Sequence, residues 1–306
     1  MRKKIKNKEI SVKAKLLNIA RLQKVDFDSL LLRYIQERFL SRLAVSPYAD
    51  KFILKGGLLL VFFEIPVLRP TKDMDFLANK MKQDGPGISR IMAEICALSV
   101  DDGIRFDPKS VAWESIDEDA DSQGIRVRIL GVLGKARKVL QIDLGFGDTV
   151  TPGFVDITFP AILEEIGPRI KAYSAQSVIS EKFEAMIKLS SVNSRMKDFY
   201  DVYVLSSGQR FDGQVLARAI EVTFKTRKTP FPDNAIVFSK DFASDNSRQK
   251  QWKAFLNKSK LRGVDDQFGN IMQRITSFLK PVADSIRHGK VFDKEWDHGR
   301  SFWIGR

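Results

Sequence analysis

Between positions 52 and 76 the chain reads FILKGGLLLVFFEIPVLRPTKDMDF, and this stretch holds the residue types best suited to chemistry. Two aspartates, Asp73 and Asp75, stand two apart between Met74 and Phe76. Side chains alternate along an extended segment, so both carboxylates point one way and their apolar neighbours the other. Side by side they repel unless a cation lies between them, and an all-oxygen set suits a hard ion such as Mg²⁺. Upstream, Gly56 and Gly57 interrupt an apolar run. A glycine pair ahead of a helix-like run lets backbone N–H groups approach phosphate oxygens, where the helix dipole also favours anions. A cation on two carboxylates beside such a turn is suited to phosphoryl transfer.

Chemistry of this kind calls for a third acid. In KVLQIDLGFG, at 138–147, Gln141, Asp143 and Gly145 share one face of a strand-like run. A carboxylate flanked by Ile142 and Leu144 is costly unless its face is a site or is wet, which makes Asp143 the candidate. A second polar constellation lies in SVISEKFEAMIKLSSVNSRMKDFYDVYVL, at 177–205. Glu181 and Lys182 open a predicted helix, Arg195 and Lys197 lie near the next turn, and Asp198 and Asp201 are three apart on a second helix. Residues at that spacing meet on one helical face. Read alone, the segment is a helical hairpin stitched by ion pairs.

The elements that must position these residues follow from periodicity. Helices are predicted over 9–23 and 26–45, the second with Leu31, Ile35, Phe39 and Leu43 on one face and Asp26 at its start. Short apolar runs at 52–54, 74–77, 110–116, 125–133 and 138–146 read as strands, with a helix over 88–98 between them. DDG at 101–103 and DEDAD at 117–121 read as turns or loops. Beyond Pro160 the pattern is helical: 177–191, 197–207, 213–225, then a polar link over 226–247, then 247–259 and 264–286. The predicted fold class is α/β of the α+β kind. A mixed-sheet core with N-terminal helices fills 1–165, and a helical domain fills 166–306.

Composition narrows the function. The 306 residues carry a net charge of +13, which favours a polyanionic partner. The two histidines are His288 and His298, so no mechanism can draw a histidine base from the first 287 residues. One cysteine, Cys96, excludes an internal disulfide and a cysteine-rich zinc site, and points to a reducing, cytoplasmic setting. Apolar runs such as LLLVFF fall far short of the roughly 20 residues that span a membrane, and no signal-peptide core follows the basic start. Basic residues cluster at 2–15 (Arg2, Lys3, Lys4, Lys6, Lys8, Lys13, Lys15) and at 248–262, the latter with Trp252 and Phe255 interleaved. A smaller cluster is Lys225, Arg227 and Lys228. Basic side chains beside aromatics suit RNA through phosphate contact and stacking; the alternative is a solvated helical face whose aromatics pack inward.

KGG followed by R-x-T-x-D-x-D-F, and then E-K-x-x-A with R-x-K-D-x-Y-D, resembles the two signatures of the AbiEii/AbiGii toxin family, which includes the MenT toxins. The resemblance spans 52–205 and implies a nucleotidyltransferase core with a helical C-terminal domain. It implies a toxin of a bacterial toxin–antitoxin or phage-abortive system, with an NTP substrate and a cognate antitoxin. Characterised members move nucleotides to the 3′ end of tRNA, which stops translation. By the same resemblance Gly56 and Gly57 cradle the triphosphate, while Asp73, Asp75 and Asp143 hold Mg²⁺. Lys182 faces the leaving pyrophosphate, Asp198 orients Lys182 or Arg195, and Arg69 and Thr71 support the phosphates or the aspartate strand. The chain departs from the family at Leu58, where members carry a small hydroxyl residue. Two other functions fit the same residues: transfer to a protein hydroxyl, and an inactive relative that binds RNA or a partner. Loss of transfer with an intact fold is the expectation for Asp73→Ala and Lys182→Ala.

Overall fold

The computed structural model describes residues 2–63, 69–119, 122–164 and 166–305. Two compact units emerge, one of residues 1–62, 70–147 and 156–172, the other of 63–69, 148–155 and 173–306. The second unit is thus assembled from three stretches of chain rather than from one continuous C-terminal segment.

In the first unit, α1 (Arg2–Gln23) and α2 (Phe27–Ala44) precede β1 (Phe52–Lys55). The Asp26 carboxylate caps α2 by accepting the Ser29 N–H at 2.8 Å. The apolar run after the glycine pair forms only a four-residue helix, α3 (Gly56–Leu59), followed by turns to Phe63. Then come β2 (Asp73–Ala78), α4 (Gly85–Ala97), β3 (Arg105–Asp119), β4 (Ser122–Leu133), β5 (Ala136–Phe146), β6 (Phe154–Thr158) and β7 (Arg169–Tyr173). These strands make one mixed sheet in the order β3-β4-β5-β2-β1-β7-β6. Residues 117–119 of the acidic run belong to the end of β3 rather than to a free loop, and 120–121 lie outside the described residues.

Alternation gives the sheet two chemically distinct faces. Ile125 and Val127 of β4, Ile142 and Leu144 of β5, and Met74 and Phe76 of β2 are buried. In β4 this is the side on which α2 lies, since Ile35 presses on Gly131. Burying such side chains contributes about 1.5–3 kcal/mol each, enough to fix the register of β2 against β5 and so the direction of the acids between them. Helix α2 also holds the entry to β2, because the buried Gln36 amide donates to the Lys72 carbonyl at 3.2 Å.

The second unit contains α5 (Ala175–Leu189), α6 (Met196–Gly208), β8 (Phe211–Asp212), α7 (Gly213–Thr226), α8 (Lys240–Ser244), α9 (Asn246–Lys258), α10 (Phe268–Arg287), β9 (Lys294–Asp297) and β10 (Phe302–Gly305). Its core is aromatic: Phe199 meets Phe268 at a 5.4 Å centroid distance, and Phe278 meets Trp296 and Phe211 at 4.9 Å. The region beyond Pro160 is less helical than its pattern predicts. It contains β7 and the small sheet β10-β9-β8, and part of the 226–247 link is helical. Strands of two to five residues are too short to show a period of two. Among the described residues, no helix is long and apolar enough to cross a membrane.

Candidate active site

The polar face of the first unit's sheet carries the acids. Reading across it, Glu114 of β3 is in register with Arg126 of β4, Arg126 with Asp143 of β5, Asp143 with Asp75 of β2, and Asp75 with Lys55 of β1. In-register residues share a face, so five ionisable side chains form one row with signs minus, plus, minus, minus, plus. Like charges directly opposite one another destabilise a strand pair. Within this row the one such juxtaposition is Asp75 beside Asp143. Asp73 stands two residues along, in register with Gln141, which is itself in register with Arg128. The structure therefore brings Asp73, Asp75 and Asp143 to one patch of one face.

Two features of this patch have no part in the sequence reading. Arg126 grips Asp143 with a two-pronged hydrogen bond, Nε to Oδ1 and Nη2 to Oδ2, each at 2.8 Å. Lys55, 7% exposed, ends β1 opposite Asp75. Both carry a legible signal: Arg126 and Arg128 alternate with Ile125, Val127 and Ile129, and Lys55 immediately precedes the glycines.

Gly56 explains its own identity. Its φ is +68°, and an added Cβ would lie 1.9 Å from Oδ2 and 2.7 Å from Cβ of Asp75. Only a residue without a side chain lets the turn press this closely on the carboxylate. Gly57 is buried in α3, and Leu58 is fully buried, so its side chain is core. Thr71 donates its hydroxyl to the Asp73 carbonyl at 3.2 Å, fixing the start of the acidic strand.

The second unit gathers the other predicted residues into a compact ion cluster. Lys182 lies mid-way along α5 rather than at its opening, and its Nζ is 2.9 Å from Asp198 and 2.7 Å from Asp201, both on α6. Arg69 holds Asp201 through Nε at 2.7 Å and Nη2 at 2.8 Å. Arg195 approaches Asp198 at 2.6 Å, so Asp198 pairs with both Lys182 and Arg195. Asp201 was not among the predicted site residues, although it stands one helical turn beyond Asp198. Three cations over two aspartates leave one net positive charge. Burial works against each charged form, but the partners outweigh it. The Lys182 pKa lies above the usual lysine value because of Asp198 and Asp201. Asp198 and Asp201 lie below the usual carboxylate value because of Lys182 with Arg195 and Arg69 respectively.

The consequence for stability has a definite sign. Aspartates with depressed pKa values stabilise the fold above about pH 4, their unfolded value, and lose that contribution as pH falls through the folded one. Lys182, with a raised pKa, contributes below about pH 10.4 and loses its share as pH rises through its higher folded value. We expect the stability gap between wild type and Asp201→Asn, followed by tryptophan fluorescence in urea, to be widest near neutral pH and to close in acid. A gap independent of pH would contradict the pairing.

The basic clusters divide. On α9, Trp252 is fully buried, packed 6.0 Å from Phe268 and 6.3 Å from Tyr200, and its indole N–H donates to the Asp265 carbonyl. It is therefore core and not a stacking platform. Phe255 packs 5.5 Å from Trp252. Arg248 stacks on Phe242, whereas Lys250, Lys253, Lys258, Lys260 and Arg262 are exposed. Arg227 is taken up by Glu181 at 2.9 Å, Glu184 at 3.0 Å and Asp148 at 3.4 Å, which leaves Lys225 and Lys228 exposed. At the N-terminus Lys8, Lys13 and Lys15 are exposed, while the side chains of Arg2, Lys3, Lys4 and Lys6 lie outside the described residues.

Mg²⁺ takes oxygen donors and binds through one or two protein carboxylates, completing its shell with water and phosphate. Asp73 and Asp75, on one face beside the glycine turn, fit that requirement. Among the described residues no group of three acids, histidines or cysteines is drawn together as a metal cluster, and Asp143 gives both oxygens to Arg126.

JHP933 from Helicobacter pylori is similar to the chain with a TM-score of 0.49 at 14% identity, over 86% of this chain and 98% of that one. A candidate nucleotidyltransferase from the same organism scores 0.48 at 16% identity, over 84% and 99%. No curated protein matches in sequence. Residues 38–274 match the family described as "Nucleotidyl transferase AbiEii toxin, Type IV TA system". That match covers both polar constellations and most of the chain, and the chain belongs to the AbiEii family of nucleotidyltransferase toxins from type IV toxin–antitoxin systems.

Proposed function

We propose that the protein is a Mg²⁺-dependent toxin of the cytoplasm that transfers an NMP from an NTP to the 3′ end of tRNA and so blocks translation. The observation that carries this reading is the like-charge register of Asp75 beside Asp143 on a sheet face where the other neighbours alternate in sign. Arg126 and Lys55 flank the two acids from either side, and a cation held at the acidic patch suits the same excess of carboxylate oxygen. When bound, Mg²⁺ neutralises the triphosphate and lowers the pKa of the attacking hydroxyl.

The chain's own residues do the rest. Asp73 and Asp75 would hold the cation, with Asp143 beside them, and the Gly56–Gly57 turn would admit the phosphates against the backbone. Arg69, Lys182 and Arg195, ordered by Asp198 and Asp201, offer positive charge to the departing pyrophosphate. Thr71 and Gln36 hold the strand that carries the acids. The hydroxyl oxygen attacks the α-phosphorus in line, a new P–O bond forms, the bond to pyrophosphate breaks, and the hydroxyl proton passes to Asp143 or to water. No histidine is needed. The excess of exposed lysine and arginine favours an RNA acceptor over a protein one.

The test is to supply each α-labelled NTP in turn with Mg²⁺ and either total tRNA or total protein. Label is expected in tRNA, to vanish with EDTA and with Asp73→Ala. Label in protein would move the acceptor to a protein hydroxyl, and no label with any NTP would refute the enzyme reading.

A further inference from the structure

The third carboxylate of the sheet face is already occupied by the protein itself. Asp143 is 14% exposed and Arg126 28%, and the guanidinium covers both carboxylate oxygens in the fork geometry that makes arginine–carboxylate pairs strong. Arg126 is not confined to that partner. Its Nη1 lies 4.0 Å from Glu114, the next residue in the same row, and Glu114 also accepts from Arg128 at 2.8 Å. The pKa of Arg126 is raised, first by its hydrogen bond to Asp143, with smaller contributions from Asp73 and Glu114. Its guanidinium therefore lies between its two neighbours in the row, bonded to Asp143 and 4.0 Å from Glu114.

We propose that Arg126 is a latch on the metal face: it holds Asp143 in the metal-free protein, and a divalent cation gains that carboxylate only as the guanidinium shifts towards Glu114. The inference rests on the reading of Asp73 and Asp75 as cation ligands. Arg126 and the cation compete for the same two oxygens, so the arginine sets the cation affinity without itself touching the metal. It is a positioning residue, acting through Asp143. The rearrangement needs no backbone movement, because β3, β4 and β5 keep their register and one flexible side chain changes partner.

The probe is Mn²⁺ alone, titrated by electron paramagnetic resonance against the full chain without nucleotide. Arg126→Gln is expected to bind Mn²⁺ about tenfold more tightly than wild type, since the charge-assisted pair that competes for Asp143 is gone. In the Arg126→Gln background, Asp143→Asn is expected to abolish that gain. Arg126→Lys keeps the charge but not the fork, and is expected to give a smaller gain of the same sign, should the glutamine variant fail to fold. Equal affinities for wild type and Arg126→Gln, or a gain that survives Asp143→Asn, would overturn the latch and leave the acidic pair as ligands. An affinity indifferent to Asp73→Asn would overturn the ligand reading, and the latch with it.

Discussion

Gly56→Ala is expected to abolish nucleotide transfer and to lower the melting temperature as well. Its added Cβ would fall 1.9 Å from Oδ2 of Asp75, well inside contact distance, so the carboxylate or the turn must move. The backbone adds its own penalty: at a φ of +68° an L-residue costs roughly 1–2 kcal/mol. Asp75 cannot retreat towards β5 without meeting Asp143, which stands in register beside it. Displacement of the acid and of the phosphate turn therefore occurs together, and the effect on transfer should match outright removal of the carboxylate. Gly147 is the control, since it also has positive φ but nothing lies within 4 Å of an added Cβ. Gly147→Ala should cost stability alone. Transfer by Gly56→Ala at the wild-type rate would show that the close approach has no bearing on the chemistry.

Lys182→Ala has the other large effect, and the structure revises what the sequence predicts for it. A surface lysine could be removed without harm to the fold. Lys182 instead bridges Asp198 and Asp201, both with fully buried side chains. Removing one partner from a buried ion pair costs about 3–5 kcal/mol, because the remaining charge is left undercompensated. Arg69 and Arg195 soften that loss without cancelling it. Lys182→Ala should therefore lose transfer and also melt at a lower temperature. Arg195→Ala should lose transfer with much less destabilisation, because Arg195 is 39% exposed and Asp198 keeps Lys182. Equal melting temperatures for Lys182→Ala and wild type would contradict the buried bridge.

The parts of the fold that were legible in the sequence are those with a long period. Helices α2, α6, α7 and α10 and strands β4 and β5 lie within a few residues of their predicted bounds, because each buries one continuous stripe. Short elements are a different case. After Gly57 the apolar run looks helical by composition, yet its side chains are core and the helix stops at Leu59. Strands β7, β8, β9 and β10 are each too brief for alternation to be distinguished from chance.

The same division runs through the site. Asp73 and Asp75 could be read from their spacing, and Asp143 from a carboxylate placed between Ile142 and Leu144. Arg126 and Lys55 stand out in the sequence as charges in or beside strand patterns, but their pairing does not, because register between distant strands brings Arg126 to Asp143 and Lys55 to Asp75. Trp252 stayed open for a similar reason: lysines around an aromatic look the same whether the ring points outward or, as here, into the core. Asp201 was visible as a carboxylate one turn from Asp198, but its importance comes from Arg69, 132 positions away in the chain.

The most direct test is single-turnover transfer by Asp75→Asn, paired with its melting curve. Asparagine keeps the shape and removes the negative charge that stands between Lys55 on one side and Asp143 on the other. Transfer should fall by at least about 10²–10³-fold, the scale of losing one preorganised electrostatic contact, while the melting curve keeps a single cooperative transition. Transfer near the wild-type rate would mean that this face of the sheet is not where the chemistry occurs.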